Sequence, residues 1–219
     1  MSPLAFEVTG ARVDQTALAP TLRFGLRIDA PGRQIQSVLL RCQIRIEPER
    51  RAYDDSEEPH LLELFGEPHR WSETLQPFLL THVTLPLAGF ADGTDVDLPV
   101  ELSYDLEVAA GKYLHALRGG EVPLLFLFSG SVFYRDGAGL QVEQIPWDLE
   151  ARYRLPVSVW TALIDAHYPG TGWLRLDRDT IDALQDYKAR HALPTWDAAV
   201  TRLLQDASVV MPGPPEHLS

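Results

Sequence analysis

Cysteine is all but missing: Cys42 is the single one in 219 residues. That excludes an internal disulfide and any zinc site built from cysteines. Lysine is nearly as scarce, with only Lys112 and Lys188, so arginine carries almost all the positive charge. Heavy arginine use beside abundant Ala, Gly and Pro fits codon bias in a GC-rich bacterium better than a binding device. Positive charge is also short overall, with 19 basic residues against 31 acidic ones, a net charge of −12 and a pI near 4.9. A nucleic-acid partner is not expected, because displacing counterions from phosphates needs a basic face. Docking on an anionic membrane is not expected either, since two negative surfaces repel. Long apolar runs are lacking too. The longest, Val122–Phe128, falls far below the roughly 20 residues that span a bilayer. The opening MSPLAFEVTG has neither a basic n-region nor an apolar h-region, so no signal peptide is expected and the cytoplasm is the default location.

What is present is ordinary globular material: 45% hydrophobic and 23% charged residues, which rules out disorder for most of the chain. Leu22, Phe24, Leu26 and Ile28 alternate with polar neighbours, as do Val38, Leu40, Cys42, Ile44 and Ile46. Period two means strands with one buried face. The Pro31-Gly32 pair between them predicts a chain reversal, hence a hairpin or meander. A short strand around Phe6 and Val8 precedes them. Strands are also predicted at Leu79–Leu85 and Val96–Val108, and over Val122–Tyr134 as two strands or one with a bulge at Ser129-Gly130. Further strands are expected at Leu140–Ile145 and through Trp147–Tyr153. After Leu155 the period becomes 3.6, predicting helices with Trp160, Leu163, Ile164 and His167 on one face, then Ile181, Leu184, Tyr187 and His191, then Trp196, Val200, Leu203 and Leu204.

The expected class is therefore α+β: an antiparallel sheet or sandwich of about eight strands, followed by a C-terminal three-helix segment packed on it. The expected layout is a β domain over residues 1–155, a helical subdomain over 156–206 and a disordered tail over 207–219. Residues 48–77 interrupt the strands with Pro48, Pro59, Pro68 and Pro77 and an acidic run. Ser56 is placed to cap a short helix through His60–Phe65, with Gly66 as its stop.

Candidate sites are few. Arg23, Arg27, Arg41 and Arg45 fall on outward positions of the first two predicted strands, a patch suited to an acidic partner or to pairing with the stripe Glu101, Asp105 and Glu107. In the excursion, Leu61, Leu62, Phe65 and Trp71 are placed to form an exposed apolar partner site, or else to anchor in the core. His60 and His69 each follow Glu-Pro, and with Glu58 and Glu67 they make a candidate nickel or zinc site, although the spacing matches no HExxH motif. Cys42 alternates with core residues and is expected to be inert. Ser129 and Ser131 lack a G-x-S-x-G elbow, and no glycine-rich phosphate loop is present. Carboxylate pairs such as Asp54 with Asp55 sit in polar surroundings that leave their pKa values alike. Catalysis and a resident cofactor are therefore not expected.

The segments LLELFGEPHRW, GEVPLLFLFSGSVFY and IPWDLEARYRLPVSVW together resemble a bacterial domain-of-unknown-function family, mainly actinobacterial, associated with gene clusters for [NiFe]-hydrogenases and their maturation factors. The resemblance covers nearly the whole chain and supplies no catalytic residues. It implies a cytoplasmic accessory or assembly protein whose partner is a hydrogenase subunit or maturation factor. Strands before C-terminal helices are also similar to SecB-type export chaperones, which implies a holdase with an apolar client groove and allows a homo-oligomer. A metal-binding protein using the loop histidines is the third reading.

Overall fold

The computed structural model describes residues 4–102, 110–137, 139–170 and 176–210. Among them are six strands: β1 (Ala5–Val13), β2 (Thr21–Ile46), β3 (Phe78–Glu101), β4 (Glu121–Asp136), β5 (Gly139–Gln144) and β6 (Glu150–Pro156). Six helices accompany them: α1 (Glu58–Phe65), α2 (Trp71–Thr74), α3 (Lys112–Ala116), α4 (Val157–His167), α5 (Arg178–Arg190) and α6 (Trp196–Val210). All strand pairings are antiparallel: β1 with β2, β2 with β3 and β4, and β4 with β5 and β6. The mixed α and β content and the antiparallel sheet are as the periodicities predict.

The strand count is lower because predicted neighbours are fused. The two segments around Phe24 and Leu40 are not a hairpin; they are two limbs of β2, 26 residues long. Ala30 pairs with Asp92 and Gln34 with Ala91, so Pro31, Gly32 and Arg33 bulge out without reversing the chain. Gly32 (φ 71°) and Asp92 (φ 62°) both take left-handed backbone there, and Asp92 Oδ1 accepts the Gly32 N–H at 2.8 Å. A Pro-Gly pair bends a strand as readily as it turns one. The buried positions run 22, 24, 26, 28 and 30, skip to Ile35, then resume at Val38 and every second residue to Ile46. The two odd steps coincide with the register shifts at Ala30/Gln34 and Ile35/Ser37, so the apolar side stays inward through the bend. The predicted pieces of β3 and β4 fuse likewise, β4 through Gly130.

The bend curls the sheet on itself. Phe6 of β1 stacks on Phe128 of β4 with centroids 4.3 Å apart, and Phe24 of β2 meets Phe126 of β4 edge-on at 5.2 Å. Phe24, Ile28, Leu40, Ile44 and Phe126 are wholly buried between the limbs. Each such side chain contributes about 1.5–3 kcal/mol by leaving water.

The chain divides into compact units Met1–Thr171 and Gly172–Ser219. α4 belongs to the first, its Val157, Trp160 and Leu163 face buried against the sheet side bearing β1 and β6. The boundary between the two units falls after α4. The second unit holds α5 and α6. Thr195 Oγ1 caps α6 by accepting the Ala198 N–H, Tyr187 donates to Asp206 across the pair, and Lys188 lies over Trp196. Helix α6 continues to Val210, beyond the predicted start of the tail; residues 211–219 lie outside the described ones. No described helix is long and apolar enough to cross a membrane.

Candidate functional site

Residues 47–77 connect β2 to β3 and form a cap whose Leu61, Phe65 and Trp71 join the core of the sheet. Asp54, not Ser56, organises the start of α1: its Oδ1 accepts from the Ser56 amide and hydroxyl and from the Glu57 amide. Gly66 ends the helix with φ 72°, where a side chain would be strained. Trp71 Nε1 donates to the Gly66 carbonyl at 2.9 Å, folding the indole under the cap. Tyr113 of α3 is completely buried, with Tyr53, Phe65 and Phe78 edge-on around it. The Tyr53 hydroxyl lies 2.9 Å from the Pro48 carbonyl, to which it donates, and 2.8 Å from the Tyr113 hydroxyl.

Beside this core lies a recess of about 390 Å³ lined by Arg51, Tyr53, Asp54, Glu57, Arg118 and Gly119, among others. Its floor is an ion pair. Arg51 grips Glu57 with two parallel hydrogen bonds, at 2.7 and 2.8 Å, and donates further to the carbonyls of Gly119 and Glu121. The Arg118 amide donates to the same carboxylate at 2.8 Å. Burial alone would lift the Glu57 carboxyl, but the Arg51 fork and the Arg118 amide outweigh it and hold it below its usual range. Burial likewise opposes the Arg51 charge, and Glu57 overcomes that. Burial pushes the Tyr53 phenol up to about 12 and Tyr113 higher still, so both stay protonated at neutral pH. Among the described residues no buried side-chain nitrogen or oxygen lacks a partner. The clasp therefore staples the 51–57 segment to the 118–121 segment.

Leu61, Phe65 and Trp71 are buried, and only Leu62 of the four apolar excursion residues is exposed. The exposed patch expected there does not form, because the helix turns this face onto Tyr113. His60 Nε2 lies 2.8 Å from an Arg118 guanidinium nitrogen. His69 lies in the short 3-10 turn Pro68–Arg70. Among the described residues no three His, Cys, Asp or Glu side chains converge as metal ligands.

The four arginines share β2 but not one patch. Arg23 pairs with buried Asp14 at 2.7 Å, and Arg27 pairs with Asp29 and Asp95 on the first limb. Asp14 is held at about 2 by the Thr16 hydroxyl and amide and then by Arg23. Of the acidic stripe, Glu101 lies at the end of β3, while Asp105 and Glu107 lie outside the described residues. Arg41 and Arg45 stand on the second limb, where Arg45 donates to the Pro77 carbonyl.

On that second limb the outer face of the sheet carries apolar side chains that sequence reading did not single out. Val142 of β5 lies opposite Phe133 of β4, and Leu39 of β2 opposite Ser131, one step along the same face. Leu140 is 61% exposed, Val142 55% and Trp147, just beyond β5, 89%. The signal was the alternation in GLQVEQ, which marks a two-faced strand without telling which face meets water.

Solved structures resemble the chain weakly. A late embryogenesis abundant (LEA)-type protein aligns at 10% identity and a TM-score of 0.34, covering 71% of this chain and 72% of the other. The sporulation control protein Spo0M of Bacillus subtilis aligns at 10% identity and 0.28, covering 71% and 49%. A β-glucosidase of Kluyveromyces marxianus aligns at 7% identity and 0.26, covering 70% of this chain and 15% of that one. No curated protein matches. The match that covers the chain, over residues 1–211, is to a family of unknown function, DUF6084, and the protein belongs to that family.

Proposed function

We propose that this is a non-catalytic accessory protein that binds a protein partner through the outer face of β2, β4 and β5. The observation that carries the reading is the set of exposed apolar side chains on that face, Leu39, Leu140 and Val142, with exposed Trp147 following β5 in the chain. Exposed aromatic and aliphatic clusters of this kind mark partner surfaces, and tryptophan is prominent among binding hot spots. The saturated Arg51–Glu57 clasp and the protonated tyrosines beside it support a non-catalytic role. The resemblance to the hydrogenase-linked family makes a [NiFe]-hydrogenase subunit or maturation factor the first partner to seek, with the cytoplasm as the place of action.

Affinity purification of the full chain from its native host tests this. A stoichiometric partner is expected with the wild type and is lost with Val142→Asp combined with Trp147→Ala. Recovery of the chain alone, or a partner retained by that variant, overturns the reading. So does suppression of aggregation of an unrelated client by the wild type and not the variant, which would make the protein a holdase.

A further inference from the structure

We propose that the partner lays an acidic amphipathic helix across this face, its apolar side on Leu39, Phe133, Val142 and Leu140 and its carboxylates on Arg41 and Arg135. This rests on the reading above that the outer face binds protein, and it specifies the chemistry of the partner.

The placement of charge supplies the first argument. Phe133 of β4 pairs with Val142 of β5; Leu39 stands one rung to one side of them and Leu140 one rung to the other. Arg41 follows Leu39 at the next outward position of β2, and Arg135 lies directly across from Leu140. Both arginines are exposed, both are on the same side of the sheet as the apolar residues, and among the described residues neither forms an ion pair. The apolar patch is thus bracketed by arginine at its two ends. No outward position carries Asp or Glu from Ser37 to Arg41 of β2, from Ser129 to Arg135 of β4 or along β5. The single acid of β5, Glu143, pairs with inward Val132 and is held by Arg33 at 2.6 Å, on the opposite side. In a protein of net charge −12, such an acid-free face draws a carboxylate-bearing partner. A second copy seated face to face brings the same two arginines, like against like.

The backbone supplies the second. Here β2 lies between β3 and β4, and β4 between β2 and β5, so the main-chain groups beneath the patch are already paired. An extended segment crossing the face would find no main-chain partner, whereas a helix satisfies its own N–H and C=O groups. Length agrees as well. Arg41 is opposite Ser129, and the stretch from there to Arg135 spans about 20 Å of strand. A helix of about 14 residues, close to four turns, covers that distance.

The test selects a random displayed-peptide library, long enough for four helical turns, on the immobilised full-length chain. Expected are sequences with apolar residues at helical spacing flanked by Asp or Glu, helical by circular dichroism in the complex. Their affinity falls roughly tenfold with Arg41→Glu and Arg135→Glu together, and persists with both changed to Lys. Should the double Glu chain unfold, Arg41→Gln with Arg135→Gln weakens binding in the same direction without adding charge. No enrichment, enrichment of basic or extended sequences, or affinity indifferent to both arginine variants overturns the inference. A dimer abolished by Val142→Asp in sedimentation also overturns it, by making a second copy the occupant. If purification from the host recovers a partner that Val142→Asp with Trp147→Ala releases while the selection fails, the acidic helix falls and protein binding stands. If no partner is recovered, both fall.

Discussion

Single residues decide whether the long strands can run through. Gly130 has φ 130°, and a Cβ built there would stand 2.0 Å from the Leu39 carbonyl oxygen. Gly130 also accepts the Ile145 amide at 2.9 Å, so its peptide cannot swing away freely. Gly130→Ala is expected to destabilise the fold by about 3 kcal/mol or more, through backbone strain and collision together. A urea unfolding series measures this, and an unchanged midpoint would show that β4 shifts to make room. Cys42 illustrates the opposite kind of legibility. Its alternation with Leu40 and Ile44 already placed it inside, and burial pushes its thiol up to about 12.

At the scale of the element, the bulge of β2 against β3 is the feature to probe. Asp92 holds left-handed backbone that costs a side-chain residue about 1–2 kcal/mol, and its carboxylate offsets part of that by accepting the Gly32 amide. Asp92→Ala keeps the strain and loses the bond, so a loss of about 2 kcal/mol is expected. Asp92→Gly loses the bond but relieves the strain and should stay within about 1 kcal/mol of the wild type. Thermal unfolding of the two variants separates these outcomes; equal losses would mean that the backbone there is not strained. The same bulge explains which parts of the fold could be read from sequence. Period two identified the faces of β2 correctly on both sides of Pro31-Gly32, because burial sets side-chain alternation locally. It could not tell a bend from a reversal, since that depends on whether β3 is available to pair with both limbs. The helices α4, α5 and α6 announced themselves through 3.6-residue spacing. The apolar excursion residues were recognised, but their burial depends on Tyr113, some fifty residues away in sequence, which no local pattern connects to Leu61 or Phe65. Leu140 and Val142 were missed for the mirror-image reason: alternation looks the same whether the apolar face is covered or wet.

For the whole molecule, the division into two units has a direct consequence. The residues of the buried core cluster run from Leu4 to Leu163, all within Met1–Thr171. A chain ending at residue 171 is therefore expected to fold with a single cooperative transition, within about 1–2 kcal/mol of the full-length protein, out of the 5–15 kcal/mol typical of domains. Chemical denaturation followed by circular dichroism decides this; a truncated chain that fails to fold would assign α5 and α6 a part in stabilising the sheet.

Thr21 pairs with Glu101 at one end of β2 and β3, and Ile46 with Phe78 at the other, so the two strands are the arms of one long hairpin whose connecting loop is the clasped cap. Assembly then has a natural order. Once the aromatic cap brings Ile46 to Phe78, each later rung joins residues progressively farther apart along the chain, out to the Thr21–Glu101 rung. A topology so rich in distant pairings folds slowly, on the millisecond-to-second scale. Until the last rungs close, the newborn chain shows water the greasy side it will later conceal.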